Sequence, residues 1–270
     1  MPNLCEVRFC ILKHIFQNVA NPLNQMNPGL HILAIAVHPD DIELGCAGIL
    51  IKHAQAGQAT GILDLTQGEL GTRGTPELRL QEAAAAAKVM GVQVRENAYM
   101  RDGFFQNDEA HQMQLITYIR RWQPEIVIGN APEDRHPDHG RAGKLIADAC
   151  FLAGLRKIET FYEGKPQQAW RPKRVFHMIQ DRQLPPSFVV DISDVMEQKL
   201  EAIQCYKSQF HNPDSDEPQT YISSQNFLEQ IKYRDALQGK RIGTEYGEGL
   251  ISENVPGIAD LNSLLLPSTP

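Results

Sequence analysis

The feature that most constrains the fold of this 270-residue chain is a regular alternation of short apolar runs with helical stretches from residue 30 onward. The predicted strands are Leu30–Val37, Ala59–Leu65, Val94–Met100, Glu125–Asn130, Val175–Gln180 and Phe188–Ile192. The predicted helices are Ile42–Ala56, Glu77–Met90, His111–Trp122, His139–Leu155 and Asp194–Tyr206. Strands joined by helices of this length form right-handed βαβ crossovers. The pattern therefore predicts an α/β fold with a mostly parallel sheet and helices on both faces.

In a sheet of this Rossmann-like kind, ligands bind beyond the carboxyl ends of the strands, where the strand order reverses. We expect residues 29–270 to form one domain, with a long loop or lid over Lys207–Gln225. Residues 1–28 differ from the rest, because Asn, Gln and Pro accumulate there and a second methionine, Met26, precedes the first strand. This segment is predicted to be an N-terminal extension outside the native enzyme.

Charge and composition exclude several classes of protein. With 26 Lys and Arg against 33 Asp and Glu, the formal net charge is −7, which opposes binding of nucleic acid. No stretch approaches the roughly 18 apolar residues that a membrane helix requires, and the first residues lack the apolar core of a secretory signal. The 5 cysteines include no C-x-x-C pair. A reducing, cytoplasmic environment is therefore expected.

Candidate chemistry begins where the first predicted strand ends, at His38-Pro39-Asp40-Asp41. Pro39 restrains His38 to an extended backbone, so the imidazole can project from the strand end. Carboxylates at the start of the next helix suit the helix dipole. Alone, these residues fit a helix N-cap beside a surface histidine as well as they fit a metal site.

A second cluster of the same design, His136-Pro137-Asp138-His139, follows the fourth predicted strand. Two such clusters at the same edge of a parallel sheet favour a shared metal site. Imidazoles with one carboxylate and no thiolate are typical of catalytic zinc, although iron(II) can use the same ligands. The remaining carboxylate and histidine can act as general base and as acid or oxyanion stabiliser. Spacing alone leaves open which residue has which role.

Both motifs resemble the LmbE-like, or PIG-L, family of zinc-dependent N-acetylglucosamine deacetylases. The likeness extends over about Leu30–Gly249, through Asp64–Thr75, Arg79 with Glu82, Arg101–Phe105 and Asp148–Lys157. These longer stretches are similar to the bacillithiol-biosynthesis branch, which removes acetate from N-acetylglucosaminyl-malate. The N-terminal segment departs from the family pattern, because members begin a few residues before the first strand.

The resemblance implies one zinc ion per chain, bound by His38, Asp41 and His139. It implies Asp40 as the general base and His136 as the acid or oxyanion stabiliser. Asp138 would orient a histidine. A small-molecule amino-sugar conjugate would be the substrate, and the protein would form a homo-oligomer.

The family pattern also points to Glu69, Arg79 and Asp102 as substrate contacts. Arginines flank the same motifs at positions 73, 101, 135 and 141, and a guanidinium can bind a malate carboxylate through two hydrogen bonds. Arg79 or Arg135 is therefore the predicted contact for an anionic aglycone. The plain alternatives are an exposed i,i+3 pair of Arg79 with Glu82 and a turn at Asp102.

Other functions remain open on the sequence alone. The same metal could serve a deacetylase or amidase acting on a mycothiol-type, chitooligosaccharide or antibiotic intermediate, or a phosphoester hydrolase. A non-catalytic metal-binding protein could keep the same ligands. The other histidines are predicted to be structural or solvated, and Cys46 to be a buried residue of the helix rather than a ligand.

Overall fold

A computed structural model describes residues 29–213 and 215–266. The predicted extension, residues 1–28, lies outside the described residues. The strands are β1 (Ile32–Ala36), β2 (Thr60–Asp64), β3 (Val94–Asn97), β4 (Ile126–Gly129), β5 (Phe161–Tyr162), β6 (Lys165–Pro166), β7 (Arg174–Met178), β8 (Phe188–Asp191) and β9 (Gly247–Ser252). The helices are α1 (Asp41–Gln55), α2 (Pro76–Met90), α3 (Glu109–Trp122), α4 (Pro137–Ala153), α5 (Met196–Gln204) and α6 (Phe227–Ile242). Two 3-10 turns occupy Ser193–Val195 and Leu261–Leu264.

The main sheet has seven strands in the order β3-β2-β1-β4-β7-β9-β8. β1 pairs in parallel with both β2 and β4, so the chain runs outward from β1 on one side and from β4 on the other. The strand order reverses between β1 and β4, and the carboxyl ends of these two strands flank the crevice where such folds bind ligands. The predicted α/β fold is confirmed.

Both faces of β1 are buried, which explains its continuous apolar sequence. Ile32 and Ala34 pack in a core cluster with residues of α1, α2, α5 and α6. Leu33 and Ile35 point to the other face and pack in a second cluster with α3 and α4. Because side chains alternate along a strand, one apolar run supplies both cores.

Three features were not predicted: the small β5–β6 hairpin, helix α6 and strand β9. β9 lies between β7 and β8 and is antiparallel to both. Its glycines interrupt the kind of continuous apolar run on which the other strands were predicted. A Cβ at Gly247 would lie 2.5 Å from Val189 and 3.0 Å from the backbone of Gly239, so β9 approaches α6 closely only because this residue has no side chain.

Other boundaries moved by a few residues. α4 begins at Pro137 rather than at His139, since proline is well suited to the first helical position. The described part of Lys207–Gln225 holds no helix or strand, as predicted. None of the described helices is long and apolar enough to span a bilayer.

Candidate metal and catalytic site

The two histidine motifs meet at the carboxyl ends of β1 and β4. His38 leaves β1 and Asp41 opens α1, with Asp40 between them at φ 127°. This backbone conformation is rare for a residue other than glycine, and such strain is concentrated at functional sites. His136 precedes α4, and His139 lies in its first turn. The adjacent aspartates consequently acquire different partners.

Asp41 joins the two predicted histidine ligands. Its Oδ2 lies 3.6 Å from His38 Nδ1, and its Oδ1 lies 3.2 Å from His139 Nε2. These separations are close to the edge of about 3.3 Å expected for ligand atoms around a tetrahedral ion with bonds of about 2.0 Å. The two contacts use different oxygens of Asp41, and the described groups whose ligand atoms all lie within 4.8 Å of one another are His38 with His136 and His139, and His38 with Asp102 and Asp138.

Each of these histidines uses its other ring nitrogen on a further carboxylate. His38 Nε2 lies 2.9 Å from Asp102 Oδ1, and His139 Nδ1 lies 2.6 Å from Asp134 Oδ2. Metal-binding histidines commonly have such a partner, which fixes the orientation of the ring. Asp102 and Asp134 thus occupy the positions in which such carboxylate partners are found.

Several donors hold the Asp41 carboxylate in place. The His38 backbone N–H donates to its Oδ2 at 3.0 Å, and the amides of Asn130 and Gln180 donate to Oδ2 and Oδ1 at 3.3 and 2.6 Å. Burial alone would raise the pKa of Asp41, but the charges and hydrogen bonds of His139 and His38 hold it well below its usual range. Asp41 is therefore held in the ionised form, which a carboxylate needs in order to bind a metal ion.

The neighbouring carboxylates dominate the electrostatics of the two histidines. Burial lowers the pKa of His38, yet Asp102 and Asp41 raise it overall to about 9. Burial likewise opposes protonation of His139, but Asp41 and Asp134 raise its pKa to about 10. The same negative environment attracts a divalent metal ion.

Asp40 belongs to a separate pair. Its Oδ2 accepts a hydrogen bond of 2.8 Å from the Arg79 guanidinium, which also donates to the Pro39 carbonyl at 2.6 Å. Burial raises the pKa of Asp40 to about 7, although Arg79 opposes the rise. Arg79 is only 4% exposed. The side chain contacts the expected base, so the alternative of an exposed pair with Glu82 is wrong, whereas a contact of Arg79 with the substrate stays a prediction.

His136 lies across the crevice from both ligand histidines. Its ring centroid is 4.9 Å from that of His38 and 5.2 Å from that of His139, and one nitrogen of each of the three rings can come within 4.8 Å of the others. Burial and the neighbouring imidazoles lower the pKa of His136. A neutral imidazole in this position can serve as a third metal ligand or contact a bound substrate.

Asp138 is placed differently from expectation. Its carboxylate accepts hydrogen bonds of 2.8 Å from the Gly103 backbone and from Arg141, and it forms no hydrogen bond with any of the described histidines. Only its backbone N–H contacts His136, at 3.3 Å from Nδ1. Asp102 and Asp134 instead contact the rings of His38 and His139, because they lie on the loops that flank the crevice.

The other predicted substrate contacts lie at the rim. Glu69 is exposed and accepts a hydrogen bond of 2.7 Å from the Asp102 backbone N–H. Asp102 is buried against His38 and accepts a further bond from the Leu70 backbone. Arg135 is half exposed and forms an ion pair of 2.8 Å with Asp181. Glu69 and Arg135 are thus exposed at the rim, although Arg135 is already paired with Asp181, and Asp102 contacts His38.

Three residues that hold the site were missed in the sequence: Asn130, Asp134 and Gln180. Asn130 and Gln180 each end a predicted strand at the edge that carries the motifs, so polar strand ends were an available signal. Asp134, in contrast, is an ordinary loop residue in the sequence. The described histidines assigned no function, at positions 31, 53, 111, 177 and 211, lie outside the candidate ligand groups, and Cys46 is buried.

The comparisons with known proteins agree with this geometry. The family model described as PIG-L, GlcNAc-PI de-N-acetylase, matches residues 33–150. A conserved protein from Thermus thermophilus of known crystal structure is 34% identical, with a TM-score of 0.76 over 85% of this chain and 97% of that chain. The chain belongs to the PIG-L family. This PIG-L member is accordingly an enzyme of a family of deacetylases, hydrolases that act on amide bonds.

Relatives of this PIG-L member differ in the substrates that their names give. Diacetylchitobiose deacetylase of Thermococcus kodakarensis is 29% identical over 95% of this chain and 93% of its own. A probable N-acetyl-α-D-glucosaminyl L-malate deacetylase of Bacillus anthracis is 25% identical over 67% of this chain and 81% of its own. A 4-oxalmesaconate hydratase of Pseudomonas putida is 28% identical over 70% of this chain and 77% of its own.

Proposed function

We propose that this protein is a zinc-dependent hydrolase that removes acetate from an N-acetylglucosamine unit in a small conjugate. The observation that carries the proposal is that two adjacent carboxylates at the start of α1, Asp40 and Asp41, have different partners. Asp41 lies close to two histidines, and the adjacent Asp40 is paired with Arg79. A hydrolytic metal centre needs this combination of ligands and a separate base.

His38, Asp41 and His139 would hold the ion. When bound, the metal would polarise the acetamide carbonyl and make a water molecule easier to deprotonate. Asp40 would take the proton of that water as general base. His136, neutral and facing the crevice, would donate a hydrogen bond to the oxygen that becomes negative and assist departure of the amine. Asp138 would act through its backbone contact with His136.

N-acetylglucosaminyl-malate is the conjugate predicted from the sequence, which would place the enzyme in bacillithiol biosynthesis. Two arginines supported this choice, and both are paired within the protein: Arg79 with Asp40 and Arg135 with Asp181. Diacetylchitobiose is the second candidate, because the relative with that substrate is similar over nearly the full length of both chains. The substrate assay therefore includes both compounds.

The decisive experiment combines acetate release with metal analysis. We expect Asp40→Asn to retain one zinc ion per chain and to lose activity about 100-fold or more, since general bases contribute roughly 10²–10⁴. Asp194→Asn, a change at an exposed carboxylate paired with Lys52, is the matched control and should keep full activity. If Asp40→Asn hydrolyses the acetamide as fast as the unchanged protein, Asp40 is not the general base. If the zinc-loaded unchanged protein releases no acetate, the enzyme proposal is wrong and a metal-binding role is favoured.

The hydratase relative supplies a rival of another reaction class. An enzyme of that class would add water to an unsaturated acid and release no acetate from any acetamido sugar. Acetate assays with monomeric N-acetylglucosamine, diacetylchitobiose and the malate conjugate separate the two. The expected homo-oligomer and the cytoplasmic location stay predictions, and sedimentation velocity at several protein concentrations tests the former.

A further inference from the structure

A small pocket opens beside the proposed metal ligands. It lies between the loop after β4, the end of β7 and the first turns of α6, and its volume is about 210 Å³. His139 and Gln180 line the side toward the metal site, and Leu44, Phe227 and Ile231 provide apolar surface. This volume is below the roughly 300–1,000 Å³ of pockets that hold a drug-sized ligand. The pocket thus suits one ring or a similar fragment of a larger substrate.

Both arginines of the pocket are already paired. Arg135 Nε lies 2.8 Å from Asp181 Oδ2, and its guanidinium stacks 4.5 Å from the ring centroid of Tyr221. The Tyr221 hydroxyl in turn donates to Asp181 Oδ1 at 2.9 Å. These three side chains come from three separate loops, and each contacts the other two at the rim of the pocket.

Arg234 is committed in the same way. It forms an ion pair of 2.9 Å with Asp235 and donates to the backbone carbonyls of Leu44 and Gln180. An incoming carboxylate would have to displace these partners and would approach the Asp181 carboxylate. Among the described residues that line the pocket, the arginines therefore leave no cation free for an anion.

Gln180 gives the pocket an unused hydrogen-bond acceptor. Its Nε2 lies 2.6 Å from Asp41 Oδ1, and because an ionised carboxylate only accepts, the amide nitrogen must be the atom that faces Asp41. Its Oε1 is buried without a hydrogen-bond partner among the described residues. A buried acceptor of this kind is unfavourable until an O–H or N–H group reaches it.

We propose that this pocket binds an uncharged, hydroxyl-bearing part of the substrate and that Gln180 both positions Asp41 and accepts a hydrogen bond from that part. The inference rests on the proposed deacetylase function and names its substrate class. A second neutral sugar ring fits, because its C–H faces can pack on Leu44, Phe227 and Ile231 and its hydroxyls can reach Gln180. A carboxylate-bearing aglycone does not fit.

The first test uses the zinc-loaded, unchanged protein. We expect kcat/KM for diacetylchitobiose to exceed that for N-acetylglucosaminyl-malate by at least about tenfold, because the pocket pairs every arginine. Equal values, or a preference for the malate conjugate, would overturn the inference while leaving the deacetylase proposal intact. If no substrate releases acetate, the deacetylase proposal fails. Calorimetric titration of the same protein with chitobiose and with the malate conjugate then decides the pocket's preference independently.

The second test changes Gln180 to Met, which keeps the shape and removes the amide. Gln167→Met is the matched control: Gln167 also donates through Nε2, to the Thr117 carbonyl, and has an unpartnered Oε1 far from the pocket. At saturating zinc, we expect Gln180→Met to lower kcat for both sugars by a similar factor, because Gln180 positions Asp41, and to raise KM for diacetylchitobiose about three- to tenfold more than KM for monomeric N-acetylglucosamine. It should also weaken zinc binding in a competition titration with a chelator. An equal rise of KM for both sugars, or the same changes in Gln167→Met, would contradict the assignment.

Discussion

At the scale of single residues, two neighbouring carboxylates with the same chemistry have opposite surroundings. Asp41 lies among hydrogen-bond donors and imidazoles, which keep its pKa low. Asp40 is buried with one arginine, and its pKa is raised to about 7. The strained backbone at Asp40 separates the two side chains. A ligand and a base can therefore stand side by side in the chain without competing for the metal.

The contact between Arg79 and Asp40 predicts how Arg79 variants behave. We expect Arg79→Lys to lower kcat about 10- to 100-fold, since displacing a catalytic group by about 1 Å can cost two orders of magnitude. KM and zinc content should change little. The exposed Arg174→Lys is the control. Steady-state kinetics check this, and a higher KM at unchanged kcat would instead return Arg79 to the role of substrate contact.

Asp134 should act on metal affinity through His139. Asp134→Asn removes the charge that the His139 ring faces at 2.6 Å, and loss of such a partner typically weakens metal binding about 10- to 100-fold. Zinc competition with a fluorescent chelator measures the change. Asp148→Asn, at a carboxylate paired with Lys144 on α4, should bind zinc like the unchanged protein. Unaltered affinity in Asp134→Asn would mean that the ring is held by its other contacts.

At the scale of elements, α1 is two helical pieces rather than one. Cys46 has φ −152° and ψ 24°, which breaks the helix shortly after Asp41. The Glu248 carboxylate, from β9, accepts hydrogen bonds of 2.9 and 2.8 Å from the backbone N–H groups of Gly48 and Ile49. Glu248 thus caps the second piece from outside the helix. The unpredicted strand β9 thus supports the helix that carries Asp41, the proposed metal ligand.

A buried lysine stabilises this arrangement. Lys199 Nζ lies 2.6 Å from Asp235 and 2.7 Å from Glu248, and all three side chains are at most 2% exposed. We expect Lys199→Met to lower the free energy of unfolding by about 3–5 kcal/mol, because it leaves the buried Glu248 carboxylate without its cation and Asp235 with Arg234 alone. Lys52→Met removes an exposed pair and should cost no more than about 1 kcal/mol. Urea unfolding compares them, and similar losses would contradict the buried network.

At the scale of the whole molecule, the proposed metal ion joins the two halves of the sheet. His38 follows β1, and His139 follows β4 across the point where the strand order reverses. An ion that binds only the folded chain stabilises it by about 2.7 kcal/mol at a concentration 100 times Kd. Binding at this position is therefore coupled to the stability of the fold.

Removal of the metal should lower the melting temperature. We expect chelation to decrease Tm by about 5–10 °C for a protein of this size, and zinc to restore it. Differential scanning calorimetry with and without chelator measures the shift. His139→Ala should lose most of the response, whereas His111→Ala, at a partly exposed histidine paired with Asp108, should keep it. A response that survives in His139→Ala would place the stabilising ion elsewhere.

Much of the fold followed from local patterns. The parallel strands and the helices between them are continuous apolar or amphipathic segments, and their residues act on near neighbours in the chain. The sequence also identified the site's edge, since His38 and His139 each follow a strand. Glycine-rich β9 was not predicted, because its position depends on close packing against α6. Such packing is not visible in a run of neighbouring residues.

The sequence by itself determined the fold class, the family and the residues of the two histidine motifs. Only the tertiary structure decided what those residues contact. Asp102 reaches His38 across 64 positions and Gln180 reaches Asp41 across 139. The contact of Arg79 with Asp40, which the sequence did not predict, depends on the same long-range packing. Hydrogen bonds and ion pairs form between groups that folding brings within about 3 Å, and spacing along the chain carries no such distance.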